Sequence, residues 1–508
     1  MHSFKLTVLA LLLSSLPCPA AATRPNFIVI NIDDLGYADI GPFGSTLNRT
    51  PNLDRMATEG MKLRCHYAAP VCSPSRSALM TGCYPKRVLP IPGVLFPASA
   101  VGLNPAETTV AEVLHDAGYA TLCVGKWHLG DQPEFLPMSQ GFDHYFGLPY
   151  SNDMGTAAEG SKSNLGDPLP QLKTAPGTAP GAASETGLGG NQQPPLPLLR
   201  DGKVIERVGP DGQQSLVQRY TDEALKFLRS SKDKPFFLYL PHTAVHFPLY
   251  PGRAFRDKSK NGLYGDWVEE VDWSVGQVLD SLRELGLDKT TLVLFTSDNG
   301  GTPRAVNAPL RGFKTTTWEG GMRVPTIAWW PGKVPAATST DAVTSMMDVL
   351  PTFAMLGGGK LPERRIDGGD IWPILAGQAD AKSPHQDLFY FYRGLQLEAV
   401  RSGDWKLHLA GAGQGDTKGD KGAKKGGNKP PQQAVEPQLY NLKTDIGESK
   451  NVAHEHAEIV ARLQALAEQT KTDLGMNGIG PGCRALGRVE HPQPLMRADG
   501  TVREGFKP

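Results

Sequence analysis

The sequence predicts an α/β protein: a large, mostly parallel sheet between helices, followed by a small antiparallel sheet and helix. Three observations predict it. Residues 26–32 (NFIVINI), 235–240 (PFFLYL) and 291–296 (TLVLFT) are nearly unbroken apolar runs, the pattern of strands buried on both faces. Helical stretches alternate with them; between 265 and 285, Val268, Val271, Val275, Val278, Leu282 and Leu285 recur at helical spacing. Near residue 380 the composition shifts to short strand-like runs, which marks a second unit.

The elements follow in order. His2, Lys5, the apolar run 6–13 and the small residues Ala20, Ala21 and Ala22 form a secretory-signal pattern, cleaved near Ala22. The run is too short to span a bilayer, and an uncleaved anchor is the alternative. Residues 1–22 are therefore read as a leader, 23–380 as the main domain and 381–508 as a C-terminal subdomain. Thr50-Pro51 predicts a helix start and Gly60 its stop. Asn104-Pro105 predicts another start, ending at Gly118, with a strand at 120–124 directly after. Residues 155–198, rich in Gly, Ala, Pro and Ser without periodicity, read as an irregular surface insert. Short strands are expected at 388–392, 397–401 and 405–409. A helix bearing Ile459, Leu463 and Leu466 on one face follows them. Residues 411–431 form a low-complexity loop expected to be mobile.

The 52 basic and 52 acidic residues cancel, which excludes a broad nucleic-acid footprint or a basic membrane surface. Anion recognition must come from a local cluster. No further segment is apolar and long enough for stable membrane insertion, so an exported protein, periplasmic or extracellular, is expected. Cys18 leaves with the leader. Cys65, Cys72, Cys83, Cys123 and Cys483 remain, an odd number that leaves one thiol over, and spacing does not assign pairs. No CxxC or HExxH occurs, which argues against the usual zinc sites.

Chemistry-bearing residues gather just after the predicted strands. Asp33-Asp34 ends the first and Asp298-Asn299 ends the strand at 291–296. In α/β sheets, sites collect at the carboxyl ends of strands. Three carboxylates and an amide oxygen make an all-oxygen set suited to Ca²⁺ or Mg²⁺. Gly125-Lys126-Trp127-His128-Leu129-Gly130 follows the strand at 120–124, and His242 and His246 follow the one at 235–240. Cys72-Ser73-Pro74-Ser75-Arg76, with Thr81-Gly82 beyond, reads as a helix start, because proline suits a first turn. Cys72 then sits where backbone N–H groups favour an anion, and Arg76 lies one turn on, able to brace an anion.

The Cys72–Arg76 motif resembles the signature of the formylglycine-dependent sulfatases, C-x-P-S-R followed by Thr-Gly. The resemblance extends over about residues 25–475 and is closest to arylsulfatase A and galactosamine-6-sulfatase. It implies an alkaline-phosphatase-like fold. It implies that a maturation enzyme oxidises Cys72 to formylglycine, and that Asp33, Asp34, Asp298, Asn299 and the modified Cys72 bind a metal, calcium ahead of magnesium. Lys126 and Lys314, the latter in Gly312-Phe313-Lys314-Thr315, are implied to clamp the sulfate. Ser151, in Pro149-Tyr150-Ser151-Asn152-Asp153, is implied to touch it. His128 would take a proton from the second hydroxyl of the hydrated aldehyde, and His246 would protonate the leaving alcohol, with His242 as the alternative. Arg323 is read as structural, paired with Glu319. The implied reaction is sulfate ester hydrolysis on a small sulfate ester or sulfated glycan. The alternatives are a phosphonate or phosphate monoester hydrolase with the same site, and an unconverted glycan-binding protein.

Overall fold

Asn26–Ile32 occupies the middle of an eleven-stranded sheet in a computed structural model that describes residues 24–170, 184–411 and 436–507. The expected leader (1–22) and all but the first residue of the low-complexity stretch 411–431 lie outside the described residues. Across the sheet the order is Thr338–Thr340, Met61–Tyr67, Arg323–Trp329, Thr291–Ser297, Asn26–Ile32, Phe236–Pro241, Ala120–Val124, His144–Gly147, Pro197–Arg200 and Lys203–Arg207. Thr344–Ser345 also pairs with Met61–Tyr67. The five strands from Thr291–Ser297 to His144–Gly147 are all parallel. Their carboxyl ends therefore share one edge. Antiparallel pairing flanks them on both sides, which makes the sheet mixed.

The unbroken apolar runs have the expected cause. Phe27 and Val29 pack into a core on one face of the sheet, and Ile28, Ile30 and Ile32 into a core on the other. Helices Cys72–Thr81, Val110–Asp116 and Val349–Gly357 cover the first face. Helices Pro51–Glu59, Leu216–Ser231 and Gly262–Glu284 cover the second.

Two expectations need correction. The second helix starts at Val110, not at Asn104-Pro105, because Thr109 and Glu112 close a reciprocal capping box. The stretch 155–198 does not stay on the surface throughout. Residues 171–183 lie outside the described part, but Ala157, Ser161 and Leu196 are buried, and Pro197–Arg200 joins the main sheet.

The second unit is a four-stranded antiparallel sheet, Phe389–Arg393, Gln396–Ser402, Trp405–His408 and Gln438–Asn441, with helix Ala457–Glu468 against it. Buried charge joins it to the main sheet. Lys406 Nζ meets Glu319 Oε1 at 2.9 Å and Glu448 Oε1 at 3.0 Å, and donates to the Thr317 carbonyl at 2.8 Å. Tyr67 donates to Glu319 Oε2 at 2.7 Å, and Arg323 pairs with the same oxygen, as read from the sequence. Among the described residues no helix is long and apolar enough to cross a membrane.

Candidate active site

The shared edge of the five parallel strands brings the separated sequence clusters together. Asp33-Asp34 follows the central strand, Asp298-Asn299 its neighbour on one side, and the His242–His246 segment its neighbour on the other. Lys126 and His128 follow the next strand, and Ser151 lies just beyond the fifth. The turn into Lys126 depends on Gly125, at φ +130°, where a Cβ would lie 1.8 Å from the Pro241 carbonyl oxygen. Backbone bonds then fix the segment: Lys126 N–H donates to Pro241 O at 2.8 Å and His128 N–H to Pro149 O at 3.0 Å. Asp34 and His128 hold left-handed conformations, φ 64° and 66°, a strain that tends to concentrate at functional sites.

Cys72 is the first residue of its helix and is 2% exposed. Its thiol lies 3.3 Å from Asp33 Oδ1 and 3.6 Å from Lys314 Nζ. Arg76, one turn on, donates to Asp298 Oδ2 through Nε at 3.0 Å and Nη2 at 2.8 Å. Lys126 pairs with Asp33, and Lys314 with Asp34 Oδ1 at 2.6 Å. Three carboxylates thus face three cations. Burial pushes the Asp33 carboxyl up, but Lys126, His246, Arg76 and Lys314 together hold it well below the usual range. Burial, with Asp298 and Asp33 nearby, pushes the Cys72 thiol well up, so an unmodified Cys72 is a poor nucleophile.

The histidines separate clearly. His246 Nε2 lies 3.7 Å from Asp34 Oδ2, and its Nδ1 contacts the Phe247 carbonyl oxygen and Ser151 Oγ, the latter at 3.2 Å. A carbonyl only accepts, so Nδ1 carries the hydrogen and Nε2 faces the site. His242 turns away, toward Ser274 Oγ at 3.2 Å. His128 gives its Nε2 hydrogen to the Leu95 carbonyl at 2.9 Å and leaves Nδ1 without a partner. Burial, Lys126 and Arg76 hold His128 well below the ordinary histidine range, so it stays neutral as an acceptor. The Leu95 carbonyl carried no signal in the sequence, since a backbone oxygen leaves no residue type to read.

The donors fit a hard divalent cation. Asp33, Asp34, Cys72 and His246 each offer a ligand atom within 4.8 Å of the others. Asn299 donates to Asp34 Oδ1 at 2.8 Å, while its own Oδ1 is buried without a partner. A buried, unpaired amide oxygen beside three carboxylates matches the all-oxygen preference of calcium or magnesium. His246 Nε2 also borders this cluster, 3.7 Å from Asp34 Oδ2. Cysteine parity, in contrast, does not single out Cys72. Cys65, Cys83, Cys123 and Cys483 are free thiols as well.

Comparison with known proteins bears on this arrangement. The sulfatase family model matches residues 25–359, and the model for the C-terminal region of aryl-sulfatase matches 383–479. Arylsulfatase A of Homo sapiens is 38% identical over 470 residues, 88% of each chain. N-acetylgalactosamine-6-sulfatase of Mus musculus is 37% identical over 434 residues, 80% of this chain and 74% of that one. Among solved structures, Ps i-CgsB in complex with k-i-k-neocarrahexaose superposes with a TM-score of 0.68 at 29% identity, over 88% of this chain and 92% of that one. With the expected fold in place, these matches establish that the chain is an enzyme of the sulfatase family.

Proposed function

We propose that the protein hydrolyses a sulfate ester of a sugar or glycan, through a formylglycine derived from Cys72 and with a bound calcium ion. One observation carries the reading. Cys72 sits buried at a helix N-terminus, between Asp33 at 3.3 Å and Lys314 at 3.6 Å, within a cluster of paired charges. A hydrated aldehyde there would supply two hydroxyls on one carbon, one to attack sulfur and one to let sulfate leave. The cation, held by Asp33, Asp34, Asp298, Asn299 and the modified Cys72, would withdraw charge from the sulfate oxygens.

The side chains divide the remaining work. Lys126 and Lys314 grip the sulfate oxygens, with Ser151 beside them, and Arg76 holds Asp298 in place. Before metal binds, three carboxylates and three cations cancel, so a divalent ion would leave the cluster net positive, suited to a sulfate-ester monoanion and to the sulfate released from it. His246, directed by the Phe247 carbonyl, presents Nε2 to the leaving oxygen and donates the proton. His128, neutral and fixed by Leu95, accepts the proton that releases sulfate. The glycan assignment draws on the sugar-bound relative and on the galactosamine-6-sulfatase match. The leader pattern supports export, and conversion of Cys72 calls for a maturation enzyme as partner.

The test measures free sulfate released from defined sulfated sugars, an aryl sulfate and an aryl phosphate. Protein co-expressed with a formylglycine-generating enzyme is run beside Cys72→Ala. Release from one sugar class, lost in the variant, supports the reading. Release of phosphate alone, or no release from converted protein, overturns it.

A further inference from the structure

The pocket's inner cations are all committed. Arg76, Lys126 and Lys314 each face a carboxylate of the metal-type cluster. One exposed cation, on the loop between Asn299 and Lys314, is not. Arg304 is exposed, and among the described residues its side chain makes no ion pair or hydrogen bond; its guanidinium lies over the Phe247 ring, 5.1 Å from the centroid. The exposed arginines that next follow Phe247 in sequence do have acidic partners: Arg253 meets Asp211 and Arg256 meets Asp257.

The position of Arg304 is defined by its loop. Asn307 bonds Gly301 twice, at 3.0 Å through each group of its side-chain amide. Val306 N–H donates to Asp39 Oδ1 at 3.0 Å, and Ala38 N–H to Val306 O at 2.8 Å. Lys314 N–H donates to Gly301 O at 3.0 Å, so the loop is tied to the sulfate-clamp segment itself. Phe247 directly follows His246, the residue assigned to the leaving alcohol. The Phe247 carbonyl also meets His246 Nδ1, so the Arg304–Phe247 pair adjoins that residue. A guanidinium resting over a ring keeps N–H groups free, and these match a carboxylate or sulfate in two-point fashion. The half-buried ring backs the guanidinium and helps to position it.

We propose that Arg304 and Phe247 form a subsite for a second anionic group, a carboxylate or another sulfate, on the sugar unit bearing the ester or its neighbour. This rests on the sulfate-ester reading above and adds the charge of the alcohol to it. The substrate class becomes a polyanionic glycan rather than a neutral monosulfated sugar.

The test compares converted wild-type enzyme with Arg304→Ala and Arg304→Glu. The substrates are a neutral monosulfated sugar, the same sugar with a second sulfate, the same sulfated sugar linked to a uronate, and an aryl sulfate. Wild type is expected to prefer a dianionic sugar. The ratio of kcat/KM for dianionic over monosulfated sugar is expected to fall about tenfold in Arg304→Ala, the size of one lost charge-assisted hydrogen bond, and further in Arg304→Glu. The disulfated and uronate arms show which anion is read. Equal losses on every substrate, or a wild-type preference for the neutral sugar, overturn the proposal while leaving the hydrolase reading intact. Binding of the same sugars to Cys72→Ala, with and without Arg304→Ala, needs no turnover. It decides the subsite even if converted enzyme releases no sulfate, which would count against the hydrolase reading alone.

Discussion

Serine at position 72 keeps a hydroxyl nucleophile but removes the second oxygen on the same carbon. Cys72→Ser is therefore expected to release at most one equivalent of alcohol and then stop as a stable sulfate ester. Intact-protein mass would show one added SO₃ group after incubation with an aryl sulfate. His246 gives a complementary prediction. Its Nε2 faces the site while Nδ1 is held by the Phe247 carbonyl. Loss of a general acid costs about 10²–10⁴ in rate when the leaving alcohol needs its proton. His246→Ala is expected to show that loss on sugar sulfates and a much smaller one on an aryl sulfate with an acidic phenol. Equal losses on both would remove the general-acid role. At this scale most of the site was readable before the fold, because acids, lysines and histidines at strand ends carry their chemistry in their residue type. The preference for His246 over His242 rested on resemblance; in the structure His246 lies beside Asp34 while His242 points at Ser274.

Secondary-structure elements were legible where apolar periodicity was strong, as in the central strands and the Gly262–Glu284 helix. They were misread where two local signals competed. Asn104-Pro105 is a good turn as well as a good helix start, and the Thr109–Glu112 box won because both of its hydrogen bonds form. Periodicity is also blind to acids on a buried helix face. Glu270, on the Gly262–Glu284 helix, accepts from Gly252 N–H at 2.7 Å, and burial pushes its carboxyl up to about 8. The folded state thus binds this proton more tightly than the unfolded chain does. The associated stability is fully present below the unfolded value of about 4.3 and is lost as pH rises toward 8. Glu270→Gln keeps an acceptor for Gly252 and removes the titration. The variant is expected to be more stable than wild type at pH 8, by about 4–5 kcal/mol, and to match it near pH 4. Denaturant unfolding at the two pH values checks this, and an unchanged difference between them would contradict it.

Across the whole molecule, the small C-terminal sheet reaches back to the catalytic face through Lys406, Glu319 and Glu448. All three side chains are fully buried. Burial pushes the Glu319 carboxyl up, but Lys406, Arg323 and Arg401 outweigh it and bring it down to about 2. The segment between Lys314 and Glu319 is thus pinned by a strand from the other unit. Lys406→Met leaves two buried carboxylates facing each other, and removing one partner of such a group costs about 3–5 kcal/mol. The variant is expected to unfold at lower denaturant and to lose sulfate-clamp geometry, seen as a fall in kcat per folded molecule. Wild-type stability in the variant would disprove the link. This bridge was not legible in the sequence, because lysines and glutamates in short strands read as solvent-facing until the partner sheet is known.

The placement of Cys72 also sets a clock. Its thiol is 2% exposed, beneath a lysine that joins the chain 242 residues later. A ribosome adding about 5–20 residues per second needs on the order of ten to fifty seconds to cover that stretch. During that interval the Cys72–Arg76 motif is an open segment, and a converting enzyme can reach it. Once the sheet closes, no second protein can. On the proposed formylglycine chemistry, conversion and folding therefore race each other, and the fraction of active molecules in a preparation is expected to follow their relative speeds during biosynthesis, before the enzyme meets any substrate.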